Sequence, residues 1–198
     1  MKCIIIVDGA YLQKIAVEVY GLKNPNLPHS LFNIFDLYKQ NSDSNNLNLL
    51  KIRFHDSLPF MSKPGTDDQI KRFNKKQDVF QKRLLNYSDI EIEYGRCVRI
   101  HDTQNGYVQK GVDVNIAIDI LVYSHHVDHM IIVSGDSDLE PALKHIKGTG
   151  VKTALVCSET IKEYHDSTLT LNNSVNCVCK LRKEHFINSN KNARLRVR

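Results

Sequence analysis

Three aspartates stand where this chain leaves an apolar run and a fourth where a helical pattern opens, and their type and spacing suit the holding of a hard cation. Asp8 follows Cys3-Ile4-Ile5-Ile6-Val7, and Asp136 and Asp138 follow Met130-Ile131-Ile132-Val133-Ser134-Gly135. Asp113 follows Lys110-Gly111-Val112, where a helical pattern opens. Open α/β sheets bind their ligands outside the carboxyl ends of the strands. Asp8 and Asp136 belong at that edge, and Asp113 and Asp138 lie in the first turns of helices that start from it. Crowded carboxylates repel one another, and some must take up protons unless a cation neutralises them. Mg²⁺ takes oxygen ligands and keeps several waters, so aspartates without Cys or His form a fitting set. Simpler roles stay open: Asp136 and Asp113 can each cap a helix N-terminus, and Asp8 can cap the helix after its strand.

The elements that must position these residues follow from the apolar pattern. Met130 to Val133 reads as a buried parallel strand. Ser134-Gly135 breaks it, and Ser137-Asp138-Leu139-Glu140 has the Ser-x-x-Glu form of a capping box. Lys2 to Val7 is a first buried strand, and Leu12, Ile15, Ala16 and Val19 recur at helical spacing up to Gly21. Pro28 is placed to start a second helix through about Lys39. Residues 48–55 alternate as a strand, and residues 67–85 predict a long amphipathic helix. Its inner stripe would be Ile70, Phe73, Gln77, Phe80 and Leu84, with Lys71, Arg72, Lys75, Lys76, Lys82 and Arg83 elsewhere. Residues 90–100 alternate again, Gln104-Asn105-Gly106 carries a hairpin signal, and Tyr107 to Lys110 would return. A helix from Val112 to about Tyr123 would bury Val112, Ile116, Ala117, Ile120 and Leu121. A strand at 151–157, a weak helical segment at 158–166 and a last strand at 175–179 complete the pattern.

Strands alternating with helices predict an α/β fold, a mainly parallel sheet with helices on both faces. Asp119 lies six residues past Asp113, which turns it about 120° around a helix. It and Asn115 are therefore expected to support the cluster rather than to join it. His125, His126 and His129 fall in a polar stretch before a strand and read as surface residues.

At 198 residues with 41% hydrophobic and 25% charged side chains, a single globular domain is expected. The net charge of +5 and pI near 8.9 favour an anionic partner. The charge at Asp8 comes too early for a leader's apolar core or a membrane span, so a reduced, cytoplasmic protein with no membrane partner is expected. Cys177-Val178-Cys179 lacks zinc-knuckle spacing. Lys180 to Arg198 carries seven basic residues against the single acid Glu184. This divides the chain into a domain at 1–179 and a basic tail at 180–198. An oligomer is compatible with this composition.

Val7-Asp8-Gly9-Ala10, Lys110-Gly111-Val112-Asp113-Val114-Asn115-Ile116-Ala117-Ile118-Asp119 and Val133-Ser134-Gly135-Asp136-Ser137-Asp138, in this order, resemble the NYN domain of the PIN-like nucleases. The LabA-type branch is the most similar, and the resemblance spans about residues 2 to 158. It implies a PIN-like three-layer α/β/α sandwich and metal-dependent cleavage of RNA, with Mg²⁺ or Mn²⁺ held by Asp8, Asp113, Asp136 and Asp138. Lys110 and Ser134 would then contact phosphate at the rim. The family's first motif usually has Asn three residues after the Asp, where this chain has Tyr11. A phenol lacks the paired donor and acceptor of an amide, so Tyr11 is expected to meet substrate through its ring, or else to pack inward on the first helix one turn from Ile15. The alternative is a catalytically silent RNA-binding module in which Tyr11 is a stacking platform. A strand ending in Asp also opens phosphohydrolases of the haloacid dehalogenase kind. That chemistry wants a second acid two residues on, and Ala10 stands there.

Overall fold

The computed structural model describes residues 1–23, 25–42, 46–99, 106–158 and 170–187. Everything is built on β1 (Lys2–Asp8), the central strand of the sheet. Its residues Cys3 to Val7 are fully buried because both faces of the strand are covered. Cys3, Ile5 and Val7 enter one core cluster, Ile4 and Ile6 the other. This is why the strand reads as an unbroken apolar run rather than an alternation.

Around it lie β2 (Asn48–Ser57), β3 (Ile90–Arg99), β4 (Tyr107–Lys110), β5 (His129–Val133), β6 (Lys152–Ser158) and β7 (Cys177–Leu181), in the order β4-β3-β2-β1-β5-β6-β7. All pairings are parallel except β3 with β4, an antiparallel ribbon at one edge. Asp8 pairs with His55 and Val7 with Val133, so the carboxyl ends of β1, β2 and β5 share one edge.

Helices cover both faces. One core cluster holds residues of α1 (Gly9–Lys14), α2 (Leu27–Asn41) and α6 (Glu184–Ile187), with Phe80 and Leu84. The other holds α4 (Val112–Tyr123) and α5 (Glu140–Ile146). The three-layer α/β/α sandwich with a mainly parallel sheet is thus present. Among the described residues no helix is long and apolar enough to cross a membrane.

Local chemistry sets the helix starts. Asp8 caps α1, its Oδ1 accepting from the Tyr11 N–H at 3.0 Å. Gly9 is required there: a Cβ would stand 2.5 Å from the Phe54 ring, so only glycine lets α1 start this close to β2. α1 widens into a π-turn at Ile15–Val19 and ends before Gly21, which takes φ 64°. Pro28 lies in the first turn of α2 and Asn26 caps it. Gly111, at φ 82°, turns the chain from β4 into α4.

Several expectations need correction. The helix at 67–85 is α3 (Asp67–Asp78) followed by a π-helical stretch, Val79–Leu84. Its supposed inner stripe is buried only at the end: Phe80 and Leu84 are inside, while Ile70 is 41% exposed and Gln77 exposed. Helical periodicity showed the helix but not that its first half has nothing to pack on. Ser137 is no cap. Asp136 caps the 3-10 turn Ser137–Leu139, accepting from Asp138 N–H at 2.9 Å, and α5 starts only at Glu140. His129 is buried as the first residue of β5, its Nδ1 2.7 Å from the Tyr38 hydroxyl.

The boundary expected at 179/180 cuts a folded element. β7 runs on to Leu181, and Phe186 of α6 is buried, with the Asn33 side chain donating to the His185 carbonyl. The hairpin tip at 100–105, most of the weak helical segment at 158–166 and the tail from 188 lie outside the described residues.

Candidate metal and nucleic-acid site

Asp8, at the end of β1, is pushed up to about 6. Burial is the main cause, and the negative charges of Asp56 and Asp113 add to it. The N–H groups of Tyr11 and Ala10 pull the other way. Asp113, in the first turn of α4, is also held above its ordinary value, by desolvation and then by the charges of Asp136 and Asp138. The like-charge couplings chain Asp8, Asp113, Asp136 and Asp138 along one sheet edge. None of the four makes an ion pair with a basic side chain among the described residues.

Two of the four also serve the backbone. Asp8 and Asp136 each commit one oxygen to a cap, as the capping alternatives anticipated. Asp113 is not the cap of α4, whose N-cap Gly111 carries no side-chain cap, and the backbone hydrogen bond it accepts is from its own N–H. Among the described residues no three Asp, Glu, His or Cys side chains stand in a metal-holding arrangement as they are. The donor set is nonetheless of the right kind for a hard cation: oxygen only, acidic, uncompensated and mutually repelling. None of the five cysteines is in a disulfide.

Asp56 is the residue that reading the sequence missed. It is fully buried at the end of β2, beside Asp8. Lys76 of α3 stands 2.7 Å from its Oδ2, Gln13 of α1 donates to Oδ2 at 2.8 Å, and Gln109 of β4 donates to Oδ1 at 3.3 Å. One carboxylate thus ties α1, α3 and the β3–β4 ribbon to the acidic edge. The alternation Phe54, Asp56 carries β2 two residues beyond its last apolar position, but it does not by itself mark Asp56 as a residue of the site.

The remaining expected residues fall differently. Ser134 is fully buried, its Oγ accepting from the Asp136 N–H at 3.1 Å, so it shapes the turn rather than facing the rim. Lys110 is exposed at the end of β4. Asn115 is half-buried one turn into α4. Asp119 faces away from the cluster: Arg53 donates to its Oδ2 from Nε at 2.6 Å, and His55 Nε2 stands 2.9 Å from the same oxygen. Burial alone would raise its pKa, but hydrogen bonds from His55 and Arg53 win and hold it low. Arg53 also reaches Glu91 and Glu93, so Asp119 belongs to a structural network over β2 and β3.

Tyr11 is 4% exposed and part of the core, and its hydroxyl accepts from the Ser158 N–H at 3.3 Å. A ring buried in this way is not offered to a base. Tyr11→Phe is accordingly expected to cost about 1 kcal/mol of stability and to leave RNA affinity unchanged, measured by urea unfolding and by binding at matched folding.

Residues 41–172 match the family model of the NYN domain. The match takes in Asp56, Asp113, Asp136 and Asp138 and begins after Asp8. No curated protein matches the chain. Among solved structures, a protein of unknown function from Vibrio parahaemolyticus RIMD 2210633, VPA0982, is similar at TM-score 0.58 and 16% identity. That alignment covers 93% of this chain and 94% of the other. At such identity the likeness is one of fold.

Proposed function

Because the chain belongs to the NYN domain family, a nuclease-type family of the PIN-like superfamily whose domains generally use divalent metals, we propose that it is a Mg²⁺- or Mn²⁺-dependent ribonuclease. The observation that carries this reading is the row of mutually repelling carboxylates at the strand ends, with no basic counter-ion among the described residues. Holding Asp8 buried beside the charges of Asp56 and Asp113 is costly, and a bound cation removes the cost. Asp8, Asp113, Asp136 and Asp138 would hold it.

When bound, the cation supplies a lowered pKa for the attacking water and neutralises charge on the scissile phosphate. The chain's own residues do the rest. Asp8 and Asp136 each accept from an N–H they cap, which holds one carboxylate oxygen of each in place. Asp56, paired with Lys76, anchors the neighbouring elements, and its charge still adds to the field that raises Asp8. The net charge of +5 and the exposed Lys71, Arg72 and Lys75 on α3 supply sequence-independent attraction for a polyanion. RNA rather than DNA as the substrate, and a cytoplasmic setting, belong to the same proposal.

The test is cleavage of a fluorescently labelled RNA with the full chain. Cleavage is expected with Mn²⁺ or Mg²⁺, absent with EDTA and restored by excess metal. Cleavage undiminished in EDTA after exhaustive chelation would overturn the metal assignment.

A further inference from the structure

One exposed tyrosine stands beside the acidic edge on the α3 side of the sheet. Tyr94 of β3 is 41% exposed and pairs in register with Asp56, so the two side chains share a face. Burial, and then the charge of Asp56, push its hydroxyl above the ordinary value. The buried Phe80 ring is tilted against it, with centroids 5.7 Å apart at 53°, and props Tyr94 from one side. Lys76, which pairs with Asp56, stands 5.3 Å from the centroid of the same Phe80 ring.

Two arginines overhang that edge near Tyr94, one from each neighbouring element. Phe80 meets Phe54, and Lys76, one turn earlier, meets Asp56, so the helix runs back along β2. Arg72, one turn earlier again on the same side of α3, therefore stands beyond the end of the strand, about 6 Å past Lys76 along the axis. On the ribbon, β2 pairs with β3 only as far as Gly95, and Arg96 is the next residue out. Arg96 lies two residues from Tyr94, on the same face, and directly opposite Lys110 of β4. Arg72 donates to the Asp68 carbonyl of its own helix. All three cations are exposed, and none is ion-paired among the described residues. Like charges directly opposite on paired strands destabilise the pairing, and an anion lying across Arg96 and Lys110 relieves that repulsion.

The other face of the ribbon supplies an internal comparison. Tyr107 and Gln109 alternate with Val108 and Lys110 along β4, so they project away from the Arg96–Lys110 pair. Tyr107 is as exposed as Tyr94, at 40%, and is opposite Arg99. Tyr94 alone of the two shares a face with Asp56, Arg96 and Lys110. Asp56 in turn adds its charge to the field at Asp8, which sets Tyr94 next to the acidic edge.

We propose that α3 and the β3–β4 ribbon together form a strand-holding subsite, in which one unpaired nucleobase stacks on Tyr94 while the flanking phosphates meet Arg72 on α3 and the Arg96–Lys110 pair on the ribbon. A base inside a duplex has no free face for Tyr94, so this subsite selects single-stranded nucleic acid. The inference rests on the nuclease reading only for the strand's path toward Asp8. Binding at Tyr94 itself needs neither metal nor cleavage.

The experiment uses the full chain in EDTA and fluorescence anisotropy of two labelled probes, an unstructured RNA oligonucleotide and a fully paired RNA duplex of equal length. Tyr94→Leu keeps an apolar group against Phe80 and removes the aromatic ring. It is expected to weaken single-strand binding by roughly five- to a hundredfold, the range for losing one base–aromatic stack. Its duplex affinity should be unchanged, and Tyr94→Phe should bind the single strand as the parent does. Tyr107→Leu, on the opposite face, should leave single-strand affinity unaltered. Arg96→Gln and Arg72→Gln should each lower that affinity and reduce the salt slope by roughly 0.7–1. Tyr94→Leu with unaltered single-strand affinity, equal loss on both probes, equal loss in Tyr107→Leu, or a parent protein that binds neither probe would overturn the subsite. Tight, Tyr94-dependent binding by a protein that cleaves nothing with Mn²⁺ would sustain the subsite and refute the nuclease reading. Active cleavage with Tyr94-independent binding would do the reverse.

Discussion

With Mn²⁺ present, Asp136→Asn is expected to lower RNA cleavage by roughly a hundredfold or more while shifting the melting temperature by no more than about 2 °C. The two halves of this expectation have separate causes. Asp136 uses Oδ1 to accept from the Asp138 N–H. Asparagine keeps an oxygen able to accept there and is as good a cap, so the turn into α5 survives. What the substitution removes is the negative charge at the sheet edge, which in the proposed mechanism helps to hold the cation. The measurement is initial cleavage rate on purified, folded protein beside a thermal melt. A variant with an intact melt and full activity would remove Asp136 from the site. A loss of activity with a collapsed melt would show that its role is to hold the turn.

Asp8→Asn should make the metal-free protein more stable, against the usual direction of a substitution at a half-buried position. The folded pKa of Asp8, about 6, lies above the ordinary aspartate value of about 3.9. The fold thus favours the protonated carboxyl. The stability this gives is complete below about pH 4 and is lost as the pH rises through about 6. Roughly two units of difference correspond to about 3 kcal/mol at neutral pH, as an upper figure. Asparagine carries no charge and still offers an acceptor to the Tyr11 N–H. Urea unfolding in EDTA at pH 7.5 should show the variant ahead by about 1–3 kcal/mol, and the gap should close toward pH 4. Added Mn²⁺ should stabilise the parent and leave the variant largely unmoved. A variant less stable than the parent at every pH would mean that the carboxylate is compensated in the fold.

What could be read from the sequence divides along the range of the interactions. The strands and the placing of Asp8 and Asp136 at strand ends, with Asp113 at a helix start, were legible, because buried parallel strands and helix starts announce themselves within a few residues. Asp56 was not, because its partners Gln13, Lys76 and Gln109 are distant in the chain and none carries a local motif. Tyr11 was expected to meet substrate because its position differs from the family's Asn. In the fold, the third residue after the Asp8 cap turns back onto the sheet, where a phenol fills core volume and ties α1 to β6 through Ser158. His129 looked like part of a polar loop, yet it begins β5, and its polarity is met by Tyr38, 91 residues away. The basic stripe of α3 was visible, but its division was not: Lys76 is bound inward by Asp56, while Lys71, Arg72 and Lys75 are exposed.

Among the described residues the sheet ends on β4, a strand of four exposed residues hydrogen-bonded on one side only. Such an edge presents unpaired N–H and C=O groups to any extended chain that approaches, and proteins blunt it with brevity and with charge. Lys110 and the facing Arg96 do this here: two copies meeting edge to edge would bring four like charges together. These two cations therefore oppose edge-to-edge pairing of two copies. Neutralising them removes that opposition, so the cost of such a change would be seen first as self-association in the test tube.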